Sequence, residues 1–441
     1  MGSGGRRTGS ALQFVIFLLL LLAAQSVLAA APGFTPQRRL GFASGDQWEP
    51  AMAADGRGHV YVLYPQYGAV RSCPGCAIPT MTLLVSNDGG ISWQAPRPLL
   101  PSSTGQFDPQ IVVDPVDRQT LYASWLQNNK RDVMVGRSVD FGLTWYLNVA
   151  DHAPNDRTHE DTDKPVLAVR GPDVYVGFNH EREFFVAASH DGGENFGSVN
   201  VNPSAEPGWS LAGGAAVDPA GNVYFSWTAY ARHEMTRNPV NIYVSRSQDG
   251  GKTWATTLLD VSGAPPDCSG QDCETGYLGA QAALASDAAG TLYALWNAGG
   301  THGGPERIYF SSSTTSGASW SAKADVSTAG PNVEGAFPVI AAGSPGDVRI
   351  AWMDTRTMST GSPPLWNTLY RSSTNGGATW SPEVKLSSPV RGYDYILPGG
   401  FRFPFGDYFS IAIDSQGMTH AVWGEGRNYK SPGSIWYTHG R

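Results

Sequence analysis

SNDGGISW, Ser86 to Trp93, decides the fold of this chain, because the same pattern comes back five more times. The copies are SVDFGLTW (Ser138 to Trp145), SHDGGENF (Ser189 to Phe196), SQDGGKTW (Ser247 to Trp254), STTSGASW (Ser313 to Trp320) and STNGGATW (Ser373 to Trp380). All follow Ser-x-Asp-x-Gly-x-x-Trp, except that Phe196 replaces Trp, Thr315 replaces Asp and Asn375 replaces Asp. Asp and Asn close tight turns by accepting from backbone N–H groups, and Gly accepts a positive φ. Ser and Trp then fall on the two strands flanking the turn. Each copy therefore reads as a β-hairpin with a pinned tip.

Each copy sits inside a longer unit. An alternating strand precedes it, as in Asn241 to Arg246, and a strand pair around an Asp/Gly turn comes earlier, as in Ala215 to Trp227. Another strand follows, as in Thr256 to Val261. Four short strands per unit make a propeller blade. The six segments resemble the Asp boxes, or BNR repeats, of the sialidase (neuraminidase) superfamily. The paired inner strands recur seven times, starting near Glu49, Asp108, Lys164, Ala212, Gln281, Phe337 and Tyr408. The last unit has no box and no fourth strand. Gln37 to Phe42 can supply that strand and lock the ring, removing two open edges. The expected fold is all-β: a propeller of four-stranded antiparallel blades, seven in number, closed by an N-terminal strand. Six blades, the usual sialidase count, is the alternative.

Composition agrees with this class. Gly 53, Pro 31 and 11% aromatics with only 15% charge suit a turn-rich β protein. Arg6 and Arg7 followed by the apolar run Phe14 to Ala24 and the small residues Val27 to Ala31 read as an export signal. The run is too short for a membrane span. Residues 1–31 are thus expected to be a signal peptide and 32–441 a single propeller domain, secreted or periplasmic and probing no membrane after cleavage. Removing Arg6 and Arg7 from 30 basic residues leaves 28 against 38 acids, a net charge of -10. That argues against nucleic acid as a partner. Nothing in the repeat pattern calls for an oligomer, so a monomer is expected. In an exported protein Cys73 with Cys76, and Cys268 with Cys273, read as two local disulfides, although four Cys allow three pairings.

Short turns gather on one face of such a ring, with the boxes, and long connections on the other: Gln66 to Met81, Asp151 to Asp163, Ala229 to Asn241, Asp260 to Tyr277, Asp354 to Asn367 and Ser388 to Phe405. Long loops on a rigid scaffold are where sites are built, so the box Asp residues read as structural. Tyr64, Trp125, Phe178, Trp227, Trp296, Trp352 and Trp423 recur near the ends of the second strands and read as core between blades. Four residues beyond three of these aromatics stand Arg182, Arg356 and Arg427. Sialidases hold the substrate carboxylate with an Arg trio, so the resemblance implies a substrate-binding role for these three. The bland alternative pairs each with its neighbouring Glu181, Asp354 or Glu425 to brace a loop. The resemblance also implies a Tyr nucleophile activated by a Glu, with an Asp acid/base. By position the candidates are Tyr408, Glu49, Asp108 and Asp407, with polar channel lining as the alternative. The Arg-Ile-Pro motif typical of sialidases does not occur. No metal motif appears. His159, Glu160, Asp161 and Asp163 in the loop His152 to Asp163 offer oxygen ligands of the kind calcium takes, against a solvated acidic loop. No cofactor is expected.

Three functions compete. The first is a sialidase-like glycoside hydrolase acting on terminal sugars. The second is a non-catalytic propeller binding glycan or protein. The third is a polysaccharide hydrolase or lyase using paired carboxylates such as Glu49 and Asp108.

Overall fold

The computed structural model describes residues 1–2, 31–42, 45–152, 162–180, 183–202, 209–230, 239–264, 279–357, 365–388, 390–391, 406, 408–425 and 433–441. The proposed signal core, Cys268, Cys273, His159, Glu160, Asp161, Arg182, Asp407 and Arg427 lie outside them.

Seven antiparallel sheets make the ring, and no described residue is helical. From the channel outward, the first three blades are built from Ala51–Ala54, Val60–Tyr67, Thr80–Ser86 and Arg97–Pro98; from Phe107–Val113, Leu121–Gln127, Asp132–Ser138 and Tyr146–His152; and from Thr162–Arg170, Asp173–His180, Glu183–Ser189 and Gly197–Asn200. The next three are Trp209–Val217, Val223–Tyr230, Val240–Ser247 and Ala255–Ser262; Ala282–Ser286, Leu292–Gly299, Glu306–Ser313 and Ala324–Asp325; and Gly335–Ala342, Val348–Thr357, Leu365–Ser373 and Val384–Lys385. The seventh is Ser410–Ile413, Thr419–Glu425 and Ser434–Gly440, completed by Arg38–Arg39 from the other end of the chain. Arg38 stands opposite Tyr437 and Arg39 opposite Trp436. Seven blades with N-terminal closure are thus the fold, and the six-blade alternative falls.

The boxes do what their spacing implies. In the first, Ser86 Oγ donates to Asp88 Oδ1 (2.8 Å), which also accepts from Ser92 N (2.7 Å), while Gly90 N donates to Ser86 Oγ (2.8 Å). Thr315 and Asn375 replace the Asp without losing the turn: Ser319 N donates to Thr315 Oγ1 (3.0 Å) and Thr379 N to Asn375 Oδ1 (2.9 Å). The Ser92 hydroxyl and backbone bonds pull the Asp88 carboxyl down to about 2, and those from Thr253 do the same to Asp249. A depressed acid adds stability that is complete above its ordinary value near 3.8 and disappears as pH falls through about 2. Asp88→Ala is therefore expected to unfold at a higher pH than the parent in an acid titration followed by circular dichroism. Overlapping acid limbs would show that the bond network adds nothing.

A second repeat pins the first-to-second strand turns. Tyr61, Tyr224 and Tyr293 each donate to an Asp six residues earlier, Asp55, Asp218 and Asp287, at 2.9, 2.8 and 2.7 Å. Boxes and these turns meet on one face: Gly89 N donates to Gly58 O (2.8 Å) and Gly376 N to Gly346 O (2.9 Å).

Each wedge between neighbouring blades is filled by one apolar cluster. The seven repeat aromatics are all buried there. The indole N–H groups find acceptors: Trp352 Nε1 donates to Asp354 (3.1 Å), Trp423 Nε1 to Glu425 (2.7 Å) and Trp296 Nε1 to Asp260 (2.9 Å). Phe34, just before the closing strand, enters the wedge between blades six and seven and packs edge-on against Tyr370.

Candidate functional site

The innermost strand of each blade has no neighbour on the channel side, so it can accommodate Pro as an edge strand does. The sequence uses it: Glu49-Pro50, Asp108-Pro109, Lys164-Pro165 and Phe337-Pro338 occupy equivalent positions. In all four, the residue before Pro is left-handed, with φ of 52°, 52°, 41° and 55°. Blades two, three and six carry a β-bulge at that point, and blade four has one at Ala212/Gly214. There Gly213 stands where Pro stands elsewhere, and a Cβ would fall 1.9 Å from the Ala282 carbonyl oxygen. A bulge re-aims a side chain. A non-glycine residue held left-handed costs on the order of 1–2 kcal/mol, and strain of this kind gathers at functional sites. In blades two, three, four and six the repeated bulge thus sets one side chain at the loop-side mouth of the channel.

A central cavity of about 220 Å³ is lined there by Asp108, Lys164, Gln281 and Tyr408, above an apolar wall that includes Met52, Ile111 and Val166. Lys164 reaches across the channel from blade three and holds its ammonium 5.4 Å from the centre of the Tyr408 ring on blade seven. Beside it, Lys130 Nζ lies 3.5 Å from Asp163 Oδ1. Burial works to raise the Asp163 carboxyl, but Lys130 and Lys164, with a contribution from the Asp108 side chain, hold it below the ordinary aspartate value. The strand start is fixed from behind by Asn179, whose Oδ1 accepts from Asp163 N (3.0 Å).

Glu49 holds the equivalent ring position on blade one and is buried; Gly406 sits against it so closely that a Cβ would come within 2.6 Å of Glu49 Cγ. Its neighbour Pro50, and not Glu49 itself, lines the cavity.

Arg356 makes the pairings of the bracing alternative. Its Nη2 and Nε lie 2.6 and 2.9 Å from Asp354 Oδ2, its Nη1 pairs with Glu383, and its Nη2 donates to Ser327 Oγ (3.1 Å). Asp354 is thus held between Trp352 and Arg356. Glu425 is held by Trp423 in a site whose burial pushes its carboxyl up to about 8. A raised acid gives stability that is complete below its ordinary value of 4.5 and is lost as pH rises through about 8. Glu425→Gln keeps an acceptor for the indole and cannot ionise. Its Tm is expected to stay level from pH 6 to 9 where the parent's falls; a parallel fall in both would remove Glu425 as the cause.

Lys130 and the pairing role of Asp163 are not legible in the sequence. Asp163 enters the sequence reading only as part of the 152–163 loop. The one hint for Lys130 is Asn128-Asn129 before it, residues that tolerate left-handed turns. The Cys73–Cys76 disulfide is formed, with Cα atoms 5.4 Å apart. Among the described residues no cluster of three His, Cys, Asp or Glu side chains is placed to hold a metal, and no helix is long and apolar enough to cross a membrane.

Comparison with known proteins places this geometry. No curated protein matches the chain. Among solved structures it is similar to a protein of unknown function from Dyadobacter fermentans DSM 18053, at 14% identity over 91% of this chain and 98% of that one, with a TM-score of 0.50. It is also similar to an ulvan lyase, a polysaccharide lyase of family 25, at 13% identity over 91% and 95%, with a TM-score of 0.51. A Trypanosoma rangeli sialidase matches at 16% identity over 78% and 55%, with a TM-score of 0.46. Identities this low speak to the fold alone. The family profile described as a BNR repeat-like domain matches residues 35–277, more than half of the sequence. With six boxes on a seven-bladed ring, the chain belongs to the BNR repeat-like family.

Proposed function

We propose that this protein is an exported glycan-acting propeller, a sialidase-like glycosidase whose site is the loop-side mouth of the channel. One observation carries the reading: Tyr408, Lys164 and Asp108 line a single cavity, and repeated strained bulges present the last two. In this reading Lys164 pairs with the carboxylate of an acidic sugar. The Tyr408 oxygen attacks the anomeric carbon as the glycosidic bond breaks, passing its phenolic proton to Glu49 on the adjacent blade. Asp108 gives its proton to the departing oxygen. Water then cleaves the tyrosyl–sugar bond, giving a proton to Asp108 as Glu49 returns the phenolic proton to the Tyr408 oxygen. Lys164 stands in for the Arg trio that the resemblance implies. A tyrosine nucleophile suits an anionic sugar because it brings no second negative charge to the bond being broken.

Arg356, engaged by two carboxylates, favours a second reading, a propeller that binds acidic glycan without turning it over. The deciding experiment is hydrolysis of a fluorogenic sialoside and of a uronate glycoside by the mature chain, 32–441, beside glycan-array binding. Turnover above a heat-killed control supports the enzyme; array binding without turnover supports the lectin-like reading. Neither result on any acidic glycan removes both. Export rests on residues 1–31, and the mass of the mature protein recovered from a culture medium reads the cleavage.

A further inference from the structure

Lys164 meets the sugar carboxylate in the proposed site, yet the strand ladder beside it is broken. Thr162 and Asp163 stand opposite His180 and Asn179, pairing resumes only at Val166 opposite Gly177, and Lys164 lies in the bulge between. A bulge leaves its extra residue without a ladder partner. Lys164 is also held left-handed, with φ of 41°. Strand pairing alone therefore does not fix where this side chain starts.

Side chains of the second strand take over that task. Asn179 Oδ1 accepts from Asp163 N (3.0 Å). The next residue, His180, places Nδ1 2.7 Å from Thr162 Oγ1 and Nε2 3.0 Å from Asp151 Oδ2, on the outer strand of blade two. Asp151 Oδ1 accepts in turn from Ser198 Oγ (2.5 Å). A carboxylate only accepts, so Nε2 carries the hydrogen, and a neutral ring leaves Nδ1 to accept from the Thr162 hydroxyl. Phe178 and Phe185 meet the imidazole edge to face, with ring centres 5.2 and 5.1 Å away.

Hydroxyl, imidazole and carboxylate stand in the order of a nucleophilic triad. Thr162 is 0% exposed, however, so its oxygen meets no substrate. The chain of bonds runs instead from blade two to a point two residues before Lys164. Blade five supplies the contrast. There Asn297 Oδ1 accepts from Gln281 N (2.9 Å) as Asn179 does from Asp163, but the ladder has no bulge and Ala298 stands where His180 stands. The imidazole is present on the blade whose bulge holds a charge.

We propose that Thr162, His180 and Asp151 are positioning residues that lock the start of the innermost strand and so keep Lys164 at the mouth of the channel. The inference rests on the glycosidase reading for the use made of Lys164, and on geometry alone for its placement.

Lysine NMR tests the placement without needing turnover. The chain has six lysines, so a 13C-lysine spectrum is assigned by one substitution each. The Lys164 signal is expected upfield, under the Tyr408 ring, and Tyr408→Leu should abolish that shift. Lys323 on blade five, with its ammonium 4.5 Å from the centre of the Tyr309 ring, is the internal control. Thr162→Val and Asp151→Ala are each expected to move the Lys164 signal toward its position in Tyr408→Leu and to leave Lys323 in place. Thr162→Ser keeps the hydroxyl and should keep the parent spectrum. Asp151 lies on another blade, so its variant decides the matter if Thr162→Val does not fold. A parental Lys164 signal in Asp151→Ala, or an equal displacement of Lys323, overturns the proposal. Where turnover exists, Asp151→Ala should raise KM about tenfold with kcat nearly unchanged, the scale of one buried hydrogen bond. Absence of turnover and of glycan binding, with the Lys164 signal moving as expected, would instead count against the glycosidase reading alone.

Discussion

Tyr408→Phe is expected to lower turnover of an acidic glycoside about a thousandfold, within the range that a lost nucleophile or proton-transfer group commands. The substitution removes one oxygen and keeps the ring. The contact between that ring and the Lys164 ammonium, at 5.4 Å, survives it, so the cavity keeps its shape and KM should hardly change. Initial rates against substrate concentration separate the two parameters, and thermal melting checks that the fold is intact. A loss of less than tenfold in kcat would take Tyr408 out of the reacting group. Lys164→Gln is the complementary case. It removes the charge that meets the sugar carboxylate, and should raise KM more than it lowers kcat.

Arg356→Ala carries the second large effect, on stability. The guanidinium is about 20% exposed, but the Asp354 and Glu383 carboxylates it joins are 1% and 9% exposed. Removing one partner of a buried pair leaves charge without compensation, which costs about 3 kcal/mol. Glu383 is held below its ordinary range against the pull of burial mainly by Arg356 and Thr328, so its loss of Arg356 is felt directly. The denaturation midpoint should fall, and Arg356→Lys should recover part of it, since Lys cannot fork between two acids. A substrate-binding Arg356 would give the reverse pattern, an unchanged midpoint with a raised KM.

The parts of the molecule legible in sequence are those set by local chemistry. Box spacing, the Asp/Gly turns and the recurring aromatic place all seven blades, because each is satisfied within one hairpin or one wedge. The ring positions Glu49, Asp108, Lys164 and Tyr408 follow from the same alignment. What the sequence hides is long-range pairing. Arg356 meets Glu383 across 27 positions, and Lys130 meets Asp163 across two blades. No period relates these partners, and only the ring geometry brings them together. The left-handed backbone before Pro is equally hidden, since the residue preceding Pro ordinarily extends.

The closing strand has a consequence for how the protein is made. Arg38–Arg39 is synthesised before every other strand of its sheet, yet its partner Ser434–Gly440 comes last. Until Ser434–Gly440 emerges, Arg38–Arg39 has no strand to pair with, so the ring cannot lock piece by piece as it is produced. Once locked, the pairing holds residues 38–39 and 434–440 together on one blade, although almost the whole chain lies between them in sequence. A substitution that disturbs either strand would therefore act on the seam that keeps the ring shut.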